Sequence, residues 1–189
     1  MTIDRSFDWL GRFPLAVDIA DTVRIVRGKA VELLIDDADL SRWVSAELPR
    51  FPSAKSAIGR LTEVRDLRDA TRDLLLAHAS ANPLPRQRIG FLNATSARSP
   101  SYTTWEGKPV VVETNDDAFD VFRAQVARST FEILEQAPDS VAVCRAPGCG
   151  MLFAPGNRRQ RWCSSQCGNR ARVARHAARA GQQRTSYLR

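Results

Sequence analysis

Between Val141 and Arg189 this 189-residue chain has no aspartate and no glutamate. Histidine occurs only at positions 78 and 176, and cysteine only four times. No stretch approaches eighteen consecutive apolar residues, which excludes a membrane-spanning helix. The first thirty residues lack the basic start, apolar run and small-residue cleavage site of an export signal, so the expected location is cytoplasmic. There is no glycine-rich phosphate loop and no nucleophile beside a recognisable base, and the expectation is a protein that is not an enzyme. An enzyme active in the N-terminal part is the remaining alternative. Glycine and proline together number 20, and neither an internal repeat nor a low-complexity linker is visible.

The absence of acids makes the distribution of charge more telling than the net +7. Ten arginines give residues 141–189 a charge of +10, which leaves 18 basic against 21 acidic side chains in residues 1–140. A mildly acidic body followed by a strongly basic segment implies an anionic partner for that segment.

Most of the body reads as helix. Leu15, Ile19, Val23 and Val26 recur at helical spacing, with Gly28 as a stop. Asp37 caps a second helix carrying Leu40, Trp43, Val44 and Leu48. A third spans about residues 57–79, with Leu61, Val64, Leu67, Leu74 and Leu75 as its apolar stripe and Arg65, Arg68, Asp69, Arg72 and Asp73 facing water. Asn82 and Pro83 begin a shorter helix through Ile89 and Leu92. "SYTTWEGKPVVVE" signals a β-hairpin, and a long helix over about 116–136 buries Phe119, Phe122, Val126, Ile133 and Leu134. The expected fold class is therefore mainly α with a small β-hairpin (α+β), a helical unit over 1–139 and a small unit over 140–189. Asp18, Asp21 and Thr22 fall on about one helix turn and form a candidate small-ligand pocket, against the plainer reading of satisfied buried polar groups.

All four cysteines lie in the basic segment, spaced C-x4-C, thirteen residues, C-x3-C. Two close pairs across a loop let Cys144, Cys149, Cys163 and Cys167 converge tetrahedrally on one Zn²⁺, and four protein ligands leave no open position, so the zinc is structural. A disulfide reading needs an oxidising compartment. About fifty residues cannot bury a sufficient core alone, so ligation supplies folding energy. The small unit is then a treble-clef-like or ribbon-like finger ending in a basic helix.

At about 100° per residue, Arg172, Arg175 and Arg179 share one side of that helix, opposite Cys167, Arg170, Val173, Ala174 and Ala177. The triplet, with Arg158 and Arg159 in the preceding loop, forms the candidate nucleic-acid contact. A solvated helix face is the plainer account, but such faces mix signs. DNA is the favoured partner, because a helix after the second cysteine pair suits a major groove. RNA or an acidic protein are the alternatives, and membrane contact is disfavoured by the alanine-rich opposite side.

Cys144, Cys149, Trp162-Cys163-Ser164 and Cys167-Gly168-Asn169-Arg170 resemble the CGNR zinc finger. "LAVDIADT", "ELLIDDADLSRWV" and the hairpin followed by a helix are similar to the ABATE domain that precedes it. The resemblance implies a stress-linked bacterial transcription regulator with a DNA-binding finger; the expectation for its helical part is that it senses a small-molecule effector or forms a homodimer. Gly168, Asn169 and Arg170 become zinc-site or helix support, with Arg170 bonding carbonyls or screening thiolates. Two departures stand out: Cys163 and Cys167 are one residue closer than is common in the family, and Asp21-Thr22 replaces Asn-Thr.

Overall fold

The computed structural model describes residue 7, residues 9–26 and residues 28–186, with side chains of the last helix as far as Arg179. The Arg184 side chain and Arg189 lie outside the described residues. The fold is mainly α, with small antiparallel hairpins and a four-cysteine finger at the C-terminal end. Among the described residues no helix is long and apolar enough to cross a membrane.

Helix α1, Leu15–Ala20, is buried at all six positions. It stops well before Gly28, where the apolar spacing placed the end. The Thr22 hydroxyl donates to the Ile19 carbonyl at 2.7 Å, and the chain turns into β1, Val23–Val26, which pairs with β2, Lys29–Glu32. Val23 and Val26 fit a helical repeat equally well, but a β-branched tetrapeptide favours a strand. Gly28, at φ +78°, makes the hairpin turn. This hairpin is additional to the one expected.

Helix α2, Asp37–Glu47, is capped one residue earlier than the spacing suggested: the Asp36 carboxylate accepts the Asp39 N–H at 2.8 Å. Asp39 in turn accepts the Ile35 N–H, a reciprocal arrangement close to a capping box. A short 3₁₀ segment, Pro52–Ala57, fills the stretch before α3, Leu61–Ala79, so that helix starts four residues later than predicted. Two of its arginines correct the expectation more deeply. Arg68 and Arg72 are 3% and 8% exposed, because they continue the i+4 row that begins at Val64 and so lie on the apolar stripe. Arg68 donates to Glu32 at 2.8 Å and Arg72 to the Ala20 carbonyl at 3.0 Å. Both therefore bind α3 to the joint between α1 and the first hairpin.

Helix α4, Arg86–Ser96, begins after Pro85 rather than at Pro83. The expected hairpin is present as β3, Ser101–Trp105, and β4, Pro109–Glu113. Helix α5, Ala118–Leu134, is capped by the Asp117 carboxylate, which accepts the N–H groups of Phe119 and Asp120. The core gathers on α2, α3 and α5, where the rings of Trp43 and Phe122 meet edge to face at 6.2 Å.

After a 3₁₀ turn at Pro138–Ser140 the finger opens with β5, Ala142–Val143, antiparallel to β6, Leu152–Phe153, and ends in α6, Ser165–Ser186. It does not pack on its own. Leu152 is fully buried in a cluster with Ala16, Val17, Ala20 and Leu75 of the body. Met151 packs with Trp9 and Leu33. A finger too small for an independent core thus borrows one.

Candidate metal centre and nucleic-acid interface

The first cysteine pair sits on the turn of the β5–β6 ribbon, where the Cys149 N–H donates to the Ala146 carbonyl and the Cys144 N–H to the Met151 carbonyl. The second pair flanks the start of α6, where Ser164 acts as cap: its hydroxyl accepts the Cys167 N–H at 3.2 Å. The ribbon turn and the first helical turn bring all four sulfurs within 4.8 Å of one another. Cys149 Sγ lies 3.9 Å and Cys167 Sγ 3.6 Å from Cys163 Sγ. A tetrahedron with zinc–sulfur bonds of about 2.3 Å has edges of about 3.8 Å, so the quartet fits one Zn²⁺. The same separations are far too long for a disulfide, and all four cysteines are free. This ribbon-then-helix arrangement is the treble-clef-like of the two forms considered.

Cys144, Cys149 and Cys163 resist losing their protons together. Hydrogen bonds from Cys149 and Cys163 pull the Cys144 thiol down, while their bonding to Cys144 pushes the other two up. A bound dication would relieve that conflict by offsetting part of the shared charge. The protein adds its own compensation: Arg170 Nη2 lies 2.9 Å from Cys167 Sγ. Arg170 thus screens a ligand thiolate, whereas the carbonyls that could have held it are not its partners. The Cys163 N–H points at Cys144 Sγ at 3.4 Å.

Gly168 sits beneath the Trp162 ring, where an added Cβ would meet the ring at 3.5 Å, an ordinary contact. Gly150 is the tighter position. A Cβ there would lie 2.5 Å from Ile25 Cβ on β1, so glycine is what lets the ribbon turn close onto the body. Gly150→Ala is expected to cost about 1–3 kcal/mol by overpacking this contact, visible as a lowered melting temperature in thermal unfolding, whereas Gly168→Ala leaves it nearly unchanged.

Asp18, Asp21 and Thr22 are each fully buried. Asp18 accepts the Gly11 N–H at 3.1 Å and Arg50 at 2.7 Å. Burial, with Asp18 alongside, pushes the neighbouring Glu47 carboxyl up to about 7. Asp21 accepts the Leu152 N–H of the finger at 2.8 Å and lies 3.6 Å from Arg72. Burial raises its carboxyl well above the usual range, against the opposing pull of the Leu152 N–H and the Arg72 charge. Thr22 is committed to Ile19 and Arg68. These side chains leave no surface of their own for a ligand. Asp21 instead bolts the finger to the body, which spacing along one helix turn could not reveal.

The arginines divide by surroundings. Arg172 and Arg179 are exposed on α6, and Arg172 Nη1 donates to Asn169 Oδ1 at 3.0 Å. Arg175 is exposed too, yet its guanidinium lies 5.9 Å from the centroid of the Trp162 ring, at the edge of the finger. Val173, on the side opposite the triplet, is 69% exposed, and the helix turns Cys167, Ala171 and Ala174 inward. Arg158 forms an ion pair with Asp139 at 3.0 Å, while Arg159 is exposed. His176 is exposed on α6 and takes no part in the quartet. Arg145 and Arg161 are exposed and make no ion pair with an acid among the described residues.

Comparison with known families agrees with this geometry. The model of the ABATE family, described as "Putative stress-induced transcription regulator", matches residues 14–137. The model of the CGNR zinc finger matches residues 141–180. No curated protein matches the chain.

Proposed function

The chain belongs to the ABATE family and carries a zinc-binding CGNR finger, and from that premise we propose that it is a cytoplasmic, DNA-binding transcription regulator that performs no catalysis. The observation that carries this reading is the joining of a zinc quartet to the first turn of a 22-residue helix bearing exposed arginines and no acid. Zinc holds Cys167 and the helix start, so Arg172, Arg175 and Arg179 are presented in fixed register to a phosphate backbone or a major groove. The body supplies the rigid platform through Asp21 and Leu152, and the stress signal would reach the finger through that junction.

The test is a gel-shift titration of duplex DNA with the zinc-loaded protein and a variant carrying Arg172→Ala, Arg175→Ala and Arg179→Ala together. The variant is expected to keep its zinc and helix content and to bind at least about tenfold more weakly at low salt. Unchanged affinity would place the contact elsewhere on the chain. A parallel selection of genomic fragments, run beside a chain ended at Pro138, should enrich fragments only with the finger present.

A further inference from the structure

Beside α6 lies a groove of about 420 Å³ whose floor is the Trp162 ring and the methyl groups of Ala171 and Ala174, and whose rim carries Arg145, Arg161 and Arg175. The indole is half-buried, with one part of its ring resting over Gly168. The ribbon turn sets one rim: the Arg145 N–H donates to the Arg161 carbonyl at 3.1 Å, so the two arginines leave the finger side by side. No acidic residue lines the groove.

We propose that this groove receives an unpaired nucleobase, stacked on Trp162, with its flanking phosphates on Arg145, Arg161 and Arg175. The inference rests on the nucleic-acid reading above and deepens it. An apolar, aromatic floor inside a cationic rim asks for a ligand that is flat and aromatic at its centre and anionic at its edge, and a nucleotide within a strand is both. An acidic peptide meets the rim but offers the floor little. In an intact duplex the base faces are covered by their neighbours, so the occupant must be unstacked: a bulged, mismatched or single-stranded base. Arg172 and Arg179, outside the groove, stay available for the adjoining backbone.

The experiment compares full-length zinc-loaded protein on two probes of one sequence, a perfect 20-base-pair duplex and the same duplex with a single bulged 2-aminopurine. Binding to the bulged probe is expected to be about tenfold tighter, with 2-aminopurine emission quenched on stacking. Ala174→Leu fills the groove while leaving every charge in place; it is expected to abolish both the preference and the quenching but to retain binding to the perfect duplex. Arg145→Ala with Arg161→Ala, which removes no zinc ligand, should lower affinity more for the bulged probe than for the perfect one. Zinc content and circular dichroism confirm that each variant is folded. Equal affinity of the wild-type chain for the two probes, or an Ala174→Leu effect of the same size on both, overturns the groove assignment and leaves the DNA reading standing. Binding to neither probe overturns both.

Discussion

Chelating the zinc is expected to release one metal ion per chain and to melt α6 while the body keeps its helices. The quartet draws two ligands from the ribbon turn and two from the start of α6, with sulfurs 3.6–3.9 Å apart where they meet. Without a cation those thiolates repel one another, and the finger's own buried cluster is only Cys144, Ala146, Phe153, Cys167 and Ala171. Structural zinc sites contribute on the order of 10–16 kcal/mol of binding free energy, far more than such a cluster can supply. The main body cluster, from Leu15 through Trp43 to Phe122, contains no finger residue and survives. Circular dichroism before and after chelation should therefore lose a signal matching the 22 residues of α6. Cys163→Ser should reproduce the loss without a chelator. A serine variant that kept both its zinc and its α6 helix would refute the four-thiolate centre.

Asp21→Ala is expected to weaken the docking of the finger on the body. It leaves the buried Leu152 N–H without its acceptor and removes the carboxylate that lies 3.6 Å from Arg72, whose guanidinium keeps its bond to the Ala20 carbonyl. Stranding one buried donor costs about 1–3 kcal/mol, which in a domain of this size lowers the melting temperature by roughly 2–12 °C. Asp21→Asn separates the hydrogen bond from the charge. An amide oxygen still accepts the Leu152 N–H, and burial already holds the Asp21 carboxyl well above its usual range, so loss of the charge costs little. The asparagine variant should melt within a few degrees of the wild type. Differential scanning calorimetry of the three proteins decides the matter: equal destabilisation by alanine and asparagine would show that the carboxylate's charge, rather than its acceptor, holds the finger in place.

The contrast between these two sites explains what could be read from the sequence. The zinc quartet is encoded by spacing within 24 consecutive positions, and ligand chemistry fixes the rest, so Cys144, Cys149, Cys163 and Cys167 stand out unaided. The family resemblance and the mainly α class came from equally local patterns. Docking is different. Asp21 finds its partner 131 positions away, and Gly150 is required by Ile25, which no periodicity connects to it. Polarity alone places Arg68 and Arg72 in solvent, whereas the i+4 row that begins at Val64 places them on the buried stripe. Val23 and Val26 misled because four residues satisfy a helix and a strand alike. The groove over Trp162 had one trace in the sequence: Arg145 and Arg161 flank ligand turns in a segment with no acid to pair them. Among the described residues, Arg170 is the arginine that touches a ligand sulfur.

The most direct measurement on the whole account is the salt dependence of duplex DNA binding by the full-length, zinc-loaded chain, taken by fluorescence anisotropy from about 50 to 200 mM salt. Four arginines of the finger neutralising phosphates predict that log affinity falls against log salt with a slope of about −3.6. A slope near zero would contradict the claim that zinc orders this basic helix for a nucleic acid.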